Sequence, residues 1–370
     1  MTDQSDIDTP RLDATYAVAR QRFLDAAERS GATVRTTVHP LTGREGEELA
    51  IDVAVLGPSD ADTTVLVVSG THGVEGYAGS ALQHWWLEER AAQRPADVRV
   101  VLIHSMNPVG FSWVRRVNED NVDLNRNFVD WTQPPPANDA YGDIADVLVP
   151  ERWDDDTQTS TTAQLLEVAA DVGLERFQEI VSSGQYDHPT GIFHGGRGPT
   201  WSHRWVVDNL AALAGSADRV AIIDLHTGLG PWSHGELISH EASDAPGYRR
   251  GTQWWGEVRS MQDGESVSAN LTGDWLAAAD SLLPDAEVTA VALEFGTVDV
   301  ITVLQSLRAD AWMHAHGDPT ATAAAEIRAQ VRAAFADDDP AWLAALIERF
   351  DDVSSGALGA LSNAGMPQRS

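Results

Sequence analysis

Two histidines and two glutamates follow apolar runs in this chain, and their types and spacing suit hydrolysis at a metal ion. His72 and Glu75 come after Val65 to Val68, within SGTHGVEG. His226 comes after Arg219 to Ile223, within DLHTGLG, and Glu294 after Val288 to Leu293, within EFGT. A tight turn or a first helical turn aims residues three apart the same way, so His72 and Glu75 form a pair. His226 closes the site from another strand end. Zinc hydrolases use this inventory: three nitrogen or oxygen ligands, an open fourth position and a nearby carboxylate that does not ligate. The flanking glycines let backbone and ligand approach closely. Each residue also has a plain reading. A His-x-x-Glu arises by chance in many sequences, and a single His after a strand is usually a hydrogen-bonded structural group. A Glu closing an apolar run is either functional or a sign that the strand is misplaced, because an unpaired buried charge is costly. Their joint occurrence at strand ends argues against coincidence.

Composition narrows the chemistry further. The chain of 370 residues has no Cys, which removes disulfides, thiol nucleophiles and thiolate metal sites. All 25 basic residues are Arg. Without Lys there is no phosphate-loop NTPase, no pyridoxal-phosphate enzyme and no Schiff-base mechanism. A tight metal site must therefore be built from His and carboxylates. The 25 basic residues face 56 acidic ones, for a net charge of −31 and a pI near 4.5. Such a surface repels phosphate backbones and anionic bilayers, so neither nucleic acid nor membrane is an expected partner. The acidity itself reads as a product of genome composition or a salty cytoplasm rather than of function. The start, MTDQSDIDTPRLD, lacks the basic and apolar stretches of a secretory signal, and no apolar run approaches the ~18 residues of a membrane helix. The expected location is the cytoplasm.

The elements that position these residues alternate between strand and helix. Residues 13–30 read as a helix. Glu47 to Val55 alternates as a half-buried strand, with Thr36 to Thr42 as its partner across a glycine turn. Val65 to Val68, Val98 to Ile103, Arg219 to Ile223 and Val288 to Leu293 are buried strands. Ala78, Ala81, Leu82, Trp85 and Trp86 form one helical stripe. This order predicts an α/β fold with a mixed, largely parallel central sheet flanked by helices. Residues 131–190, with a proline cluster, the acids Asp154 to Asp156 and a helix near Thr162 to Ser182, read as an insertion. Asp318-Pro319 and Asp339-Pro340 each read as a helix start. His314 and His316 are placed in a polar loop as solvated surface. The predicted organisation is a tail over 1–12, one catalytic domain over 13–351 and a loose tail over 352–370.

The segment NPVGF…RRVNEDNVDLNRNF resembles the zinc carboxypeptidases of the carboxypeptidase A-like superfamily. That family's ordered signature is H-x-x-E, N-P-x-G-F, an Arg, D-x-N-R-N-[FW], a lone His after a strand and a late Glu. It is matched by His72 and Glu75, Asn107-Pro108, Arg115-Arg116, Asp123 to Phe128, His226 and Glu294. The resemblance covers roughly residues 47–300, and the D-L-N-R-N-F stretch is its most specific part. The wording DLHTGLGPW and ALEFGT is similar to a bacterial branch known mostly as a domain of unknown function.

The resemblance implies a carboxypeptidase-like α/β/α fold and one Zn2+ per chain held by His72, Glu75 and His226. It implies Glu294 as the general base and Arg116 as the oxyanion-steadying residue, with Arg115 as the alternative. It implies Asn125 and Arg126 as the grip on a substrate carboxylate, and Asp123 as the group that orients the first His ligand. No tyrosine of this chain is matched to the family's proton-donating Tyr. Asp224 shares a strand face with His226, where it either orients that ring or serves structure. The expected activity is hydrolysis of an amide bond in a small peptide or peptide-like substrate with a free carboxylate. The alternative is an N-acyl amino acid deacylase of the aspartoacylase or succinylglutamate desuccinylase kind, which shares H-G-x-E, D-L-N-R and a late Glu. A decayed, non-catalytic zinc module is disfavoured because no ligand or base has been lost.

Overall fold

A computed structural model describes residues 11–362. Eight strands build one mixed sheet: β1 (Thr33–Thr42), β2 (Glu48–Leu56), β3 (Thr63–Val68), β4 (Arg99–His104), β5 (Arg219–Trp232), β6 (Gly235–Ser239), β7 (Arg259–Ser260) and β8 (Glu287–Gly296). Their spatial order is β1-β2-β4-β3-β5-β8-β6-β7. The four middle strands, β4, β3, β5 and β8, run parallel. Antiparallel pairings of β2 with β4 and of β6 with β8 flank them. Every residue of β3 and β4 is buried, as expected of apolar strands covered on both faces.

Thirteen helices are described. The first seven are α1 (Tyr16–Arg29), α2 (Gly76–Glu89), α3 (Pro108–Trp113), α4 (Asp139–Gly142), α5 (Ala145–Leu148), α6 (Asp155–Val172) and α7 (Leu174–Ser182). The others are α8 (Trp201–Ala214), α9 (Pro246–Trp255), α10 (Trp275–Leu282), α11 (Val300–Ala315), α12 (Ala324–Phe335) and α13 (Pro340–Leu361). The period-two alternation of strand side chains divides the core into two layers. Val65 and Val67 of β3, with Ala221 and Ile223 of β5, join the layer that holds Phe23, Trp86 and Trp342. Leu66 and Val68, with Val220 and Ile222, join Trp205, Leu210 and Trp275 on the other face. Each fully buried aliphatic side chain contributes about 1.5–3 kcal/mol relative to exposure. Among the described residues no helix is long and apolar enough to cross a membrane.

Several boundaries differ from the sequence expectation. β5 and β8 run past Ile223 and Leu293, so Asp224, His226 and Glu294 lie inside strands rather than beyond them. The single helix expected near Thr162 to Ser182 is two helices, α6 and α7, broken at Gly173, whose φ of 85° a side chain rarely adopts. The acidic run has a local cause: Asp154 caps α6, and Asp155 and Asp156 sit in its first turn, where the helix dipole favours negative charge. Asp318 caps a turn through the Thr320 amide, and α12 starts only at Ala324. Asp339 does cap α13, with Pro340 at the first helical position. That helix continues to Leu361, burying Val353, Ala357 and Leu361, so the chain is not a loose tail from residue 352. The rest of that expected tail, residues 363–370, lies outside the described residues, as do residues 1–10 of the N-terminal one. His314 sits in the last turn of α11, edge-on to Trp113, and is not loop surface.

Candidate metal centre

β3 delivers the first two site residues. After Val68 the chain passes through Ser69, Gly70 and Thr71 to His72, which precedes a short 3-10 turn over Gly73–Glu75. The turn is pinned from outside. Gly73 N–H donates to the Arg116 carbonyl at 3.1 Å and Val74 N–H to the Arg115 carbonyl at 2.8 Å. A Cβ on Gly73 would lie 2.0 Å from the backbone of Gly110, so only glycine fits this contact. The N-P-x-G-F stretch explains the opposing surface. Asn107 caps α3 by accepting from Gly110 N–H at 2.8 Å, and Pro108 takes the first helical position.

Ligand atoms of His72, Glu75 and His226 all lie within 4.8 Å of one another, and all three residues are buried. His72 Nδ1 is 2.9 Å from Glu75 Oε1, and His226 Nδ1 is 2.9 Å from Glu75 Oε2. The two Nδ1 atoms are 3.2 Å apart. Both far ring nitrogens meet carboxylates: His72 Nε2 is 3.1 Å from Asp123 Oδ1, and His226 Nε2 is 2.7 Å from Asp224 Oδ2. Two imidazoles converging through one nitrogen, each braced by an acid at the other, with a carboxylate between them, fit a zinc ion. The group can therefore hold a metal.

The bracing acids are themselves fixed. Asp224 accepts from Thr71 Oγ1 at 2.8 Å and from Trp275 Nε1 at 2.6 Å. Asp123 accepts from Asn125 N–H and from Arg116 Nε, each at 2.9 Å. Burial alone would raise the Asp123 carboxyl, but Arg116 and Arg126 outweigh it and hold it well below the ordinary range. Burial opposes a charge on His226 too, yet Asp224 and Glu75 raise it well above its ordinary value.

Glu294 stands directly opposite His226 in the register of β5 and β8. One oxygen, Oε1, accepts from Leu229 N–H at 3.0 Å. Burial, and then the charge of Glu75, push its carboxyl up to about 7. A carboxylate held near neutrality suits proton transfer.

A cavity of about 340 Å³ opens beside these groups, and His72, Arg116, Asn125, Arg126, His226 and Glu294 all line it. Arg116 Nη1 donates to Glu75 Oε1 at 3.0 Å. Arg115 turns elsewhere, donating to Asp310 at 2.9 Å and Asn121 at 2.8 Å. Asn125 Oδ1 is buried without a hydrogen-bond partner. Arg126 is 2% exposed: its Nε and Nη2 donate to the Ser182 carbonyl at 2.9 and 2.6 Å, and Nη1 to the Asn125 carbonyl at 2.8 Å. All eight site residues expected from the sequence thus come together.

Further neighbours join them. Phe193 lies over both guanidiniums, 5.5 Å from Arg116 and 5.3 Å from Arg126. Thr71 and Trp275 fix Asp224, and Ser182 at the end of α7 reaches back to Arg126. Thr71 is adjacent to His72 in sequence, so its role had a local signal; Trp275 and Ser182 act only through tertiary packing. Tyr248 bonds to the Val258 carbonyl, and no tyrosine is among the residues lining the cavity.

A family model described as "Protein of unknown function (DUF2817)" matches residues 13–349. No curated protein matches the chain. Among solved structures, the chain is similar to an aspartoacylase family protein from Mesorhizobium loti, with 14% identity, 72% of this chain and 61% of that one covered, and a TM-score of 0.37. The chain therefore spans about three fifths of that protein's length. It is also similar to carboxypeptidase A from Helicoverpa armigera, with 12% identity, 88% and 75% covered, and a TM-score of 0.45. For bovine thrombin-activatable fibrinolysis inhibitor the values are 12%, 87%, 98% and 0.45.

Proposed function

The chain belongs to the DUF2817 family, and from that premise we propose that it is a zinc-dependent amide hydrolase of carboxypeptidase type. Its substrate is a small peptide or peptide-like molecule with a free carboxylate. One observation carries the reading: a buried His-Glu-His group shares a cavity with an unligated glutamate near neutrality and with two guanidiniums. When bound, zinc supplies a Lewis acid that polarises the scissile carbonyl and lowers the pKa of a water to about 7. Glu294 takes the proton of the attacking water and passes it to the leaving amine. Arg116 presents a fixed positive charge where the carbonyl oxygen becomes anionic. Asn125 and Arg126 hold the substrate carboxylate. The Ser182 and Asn125 carbonyls use three of the five N–H groups of Arg126, which leaves one on each terminal nitrogen. Asp123 and Asp224 hold the two imidazoles in one tautomer. A second reading, N-acyl amino acid deacylation, is favoured by the largely apolar wall of the cavity.

The test is metal analysis followed by a panel of dipeptides and N-acyl amino acids. We expect one zinc per chain, lost in His226→Ala. Glu294→Gln should keep zinc and fold while turnover falls by about 10²–10⁴-fold. A chain that takes up no zinc, or a Glu294→Gln variant with near-normal turnover, overturns the reading.

A further inference from the structure

Two helices lead from the protein surface to the two cavity guanidiniums. α7 begins at Leu174, which is 77% exposed, and ends at Ser182, whose carbonyl holds Arg126. α11 begins at Val300 and Ile301, 58% and 56% exposed, and reaches Leu307, which shares a small cleft with Arg116 and Phe193. At the helical rise of about 1.5 Å per residue, these walls are about 12 and 10 Å long. Leu174, Phe177, Val181, Val300, Ile301 and Leu304 all line the cavity. The charged residues lining it (His72, Arg116, Arg126, His226, Asp274 and Glu294) lie on neither helix. The side chain of Gln178 on α7 is engaged by the Val267 carbonyl. The mouth of the cavity thus gathers exposed apolar side chains, with Asp299, which caps α11, and Glu175 of α7 beside them. Exposed apolar residues gathered at such a mouth mark a surface kept for an apolar ligand.

Resting on the proposed amide hydrolysis, we infer that the substrate is an N-acyl amino acid whose acyl group is an extended alkyl chain lying between α7 and α11. An acetyl or succinyl group would leave most of this volume empty. A short dipeptide such as alanylalanine would likewise leave most of it empty. Arg116, placed at the carbonyl oxygen, adjoins the inner end of α11. The acyl side of the amide therefore faces the apolar walls, while the amino acid carboxylate turns to Arg126.

The experiment compares N-acetyl-, N-hexanoyl- and N-decanoylalanine with N-acetylphenylalanine and alanylalanine. It measures kcat/KM on the zinc-loaded protein and calorimetric affinity on zinc-loaded Glu294→Gln. Both should rise by roughly three- to fourfold per methylene until the channel is filled. Leu174→Asp and Ile301→Asp, at exposed positions that leave folding intact, should each cut the decanoyl values at least tenfold. Their values for the acetyl compound should stay within twofold. Hydrolysis of alanylalanine or N-acetylalanine with no gain from chain length overturns the inference and leaves the proposed function standing. A gain for N-acetylphenylalanine over N-acetylalanine without one for the decanoyl chain also overturns it, by placing the apolar arm on the leaving amino acid. Chain-length-dependent binding, lost in Leu174→Asp, with no turnover of any amide supports the channel and overturns the hydrolase reading.

Discussion

Arg115 and Arg116 are neighbours in sequence with opposite fates. Arg116 lines the cavity and touches both Glu75 and Asp123, whereas Arg115 pairs with Asp310 in a site where both side chains are buried. The two alanine variants should therefore fail differently. Arg116→Ala should retain zinc and lose about 10²–10³-fold in kcat, the usual cost of removing an oxyanion donor. Arg115→Ala leaves Asp310 buried without its guanidinium and should cost about 3–5 kcal/mol of stability, with turnover per folded molecule within a few-fold of the parent. Zinc content, kcat and urea unfolding of both variants check this; equal kcat losses would remove the distinction. The sequence carried much at this scale. Residues two apart on a strand share a face, so Asp224 beside His226 was visible from spacing. The choice between Arg115 and Arg116 was not, because it depends on the α11 carboxylate of Asp310, almost two hundred residues away.

The turn after β3 ties two of the candidate metal ligands to a packing contact. Because Gly73 rests against the backbone of Gly110, Gly73→Ala must push the turn off α3. His72 and Glu75 flank that glycine, so the ligand geometry shifts with it. The expected outcome is a folded protein with at least tenfold weaker zinc affinity, read by chelator competition alongside circular dichroism; unchanged affinity would show that the turn can yield elsewhere. The buried strands were legible because runs such as TTVLVV and RVVLIH carry the mark of covered parallel strands. β6 and β7 were not, being five and two residues long and set by pairing with β8 and with each other. The end of α13 was hidden by its composition. In VSSGALGALS the apolar spacing of Val353, Ala357 and Leu361 is helical, but small residues resemble a linker until tertiary packing buries them. The break at Gly173 depends on a backbone conformation that the sequence marks only by glycine itself.

For the molecule as a whole, charge and buried histidine set the conditions of stability. A net charge of −31 makes the compact state repel itself. Raising salt from 0.1 M to 1 M shrinks the Debye length from about 10 Å to about 3 Å, so Tm should climb by a few degrees. A falling Tm in calorimetric scans over that range would contradict it. His104 is fully buried, stacked on Phe23 and 2.9 Å from Ser80 Oγ. Burial lowers its pKa from 6.5 to about 4. The unfolded chain binds this proton below about 6.5 and the folded one only below about 4, so the stabilisation is complete above 6.5 and drains as pH falls toward 4. It amounts to up to about 3 kcal/mol. Urea midpoints should drop over that window and drop less in His104→Gln; a parent midpoint independent of pH would exclude the effect. The sheet order also dictates when the centre can exist. His72 and His226 lie on adjacent strands but 154 residues apart in the chain. At a synthesis rate of about 5–20 residues per second, the first ligand pair leaves the ribosome roughly 8 to 30 s before the third. For that interval the nascent chain offers metal only two ligands. Glu294 emerges later still, so the growing polypeptide carries all three candidate metal ligands before it carries the carboxylate proposed as the base.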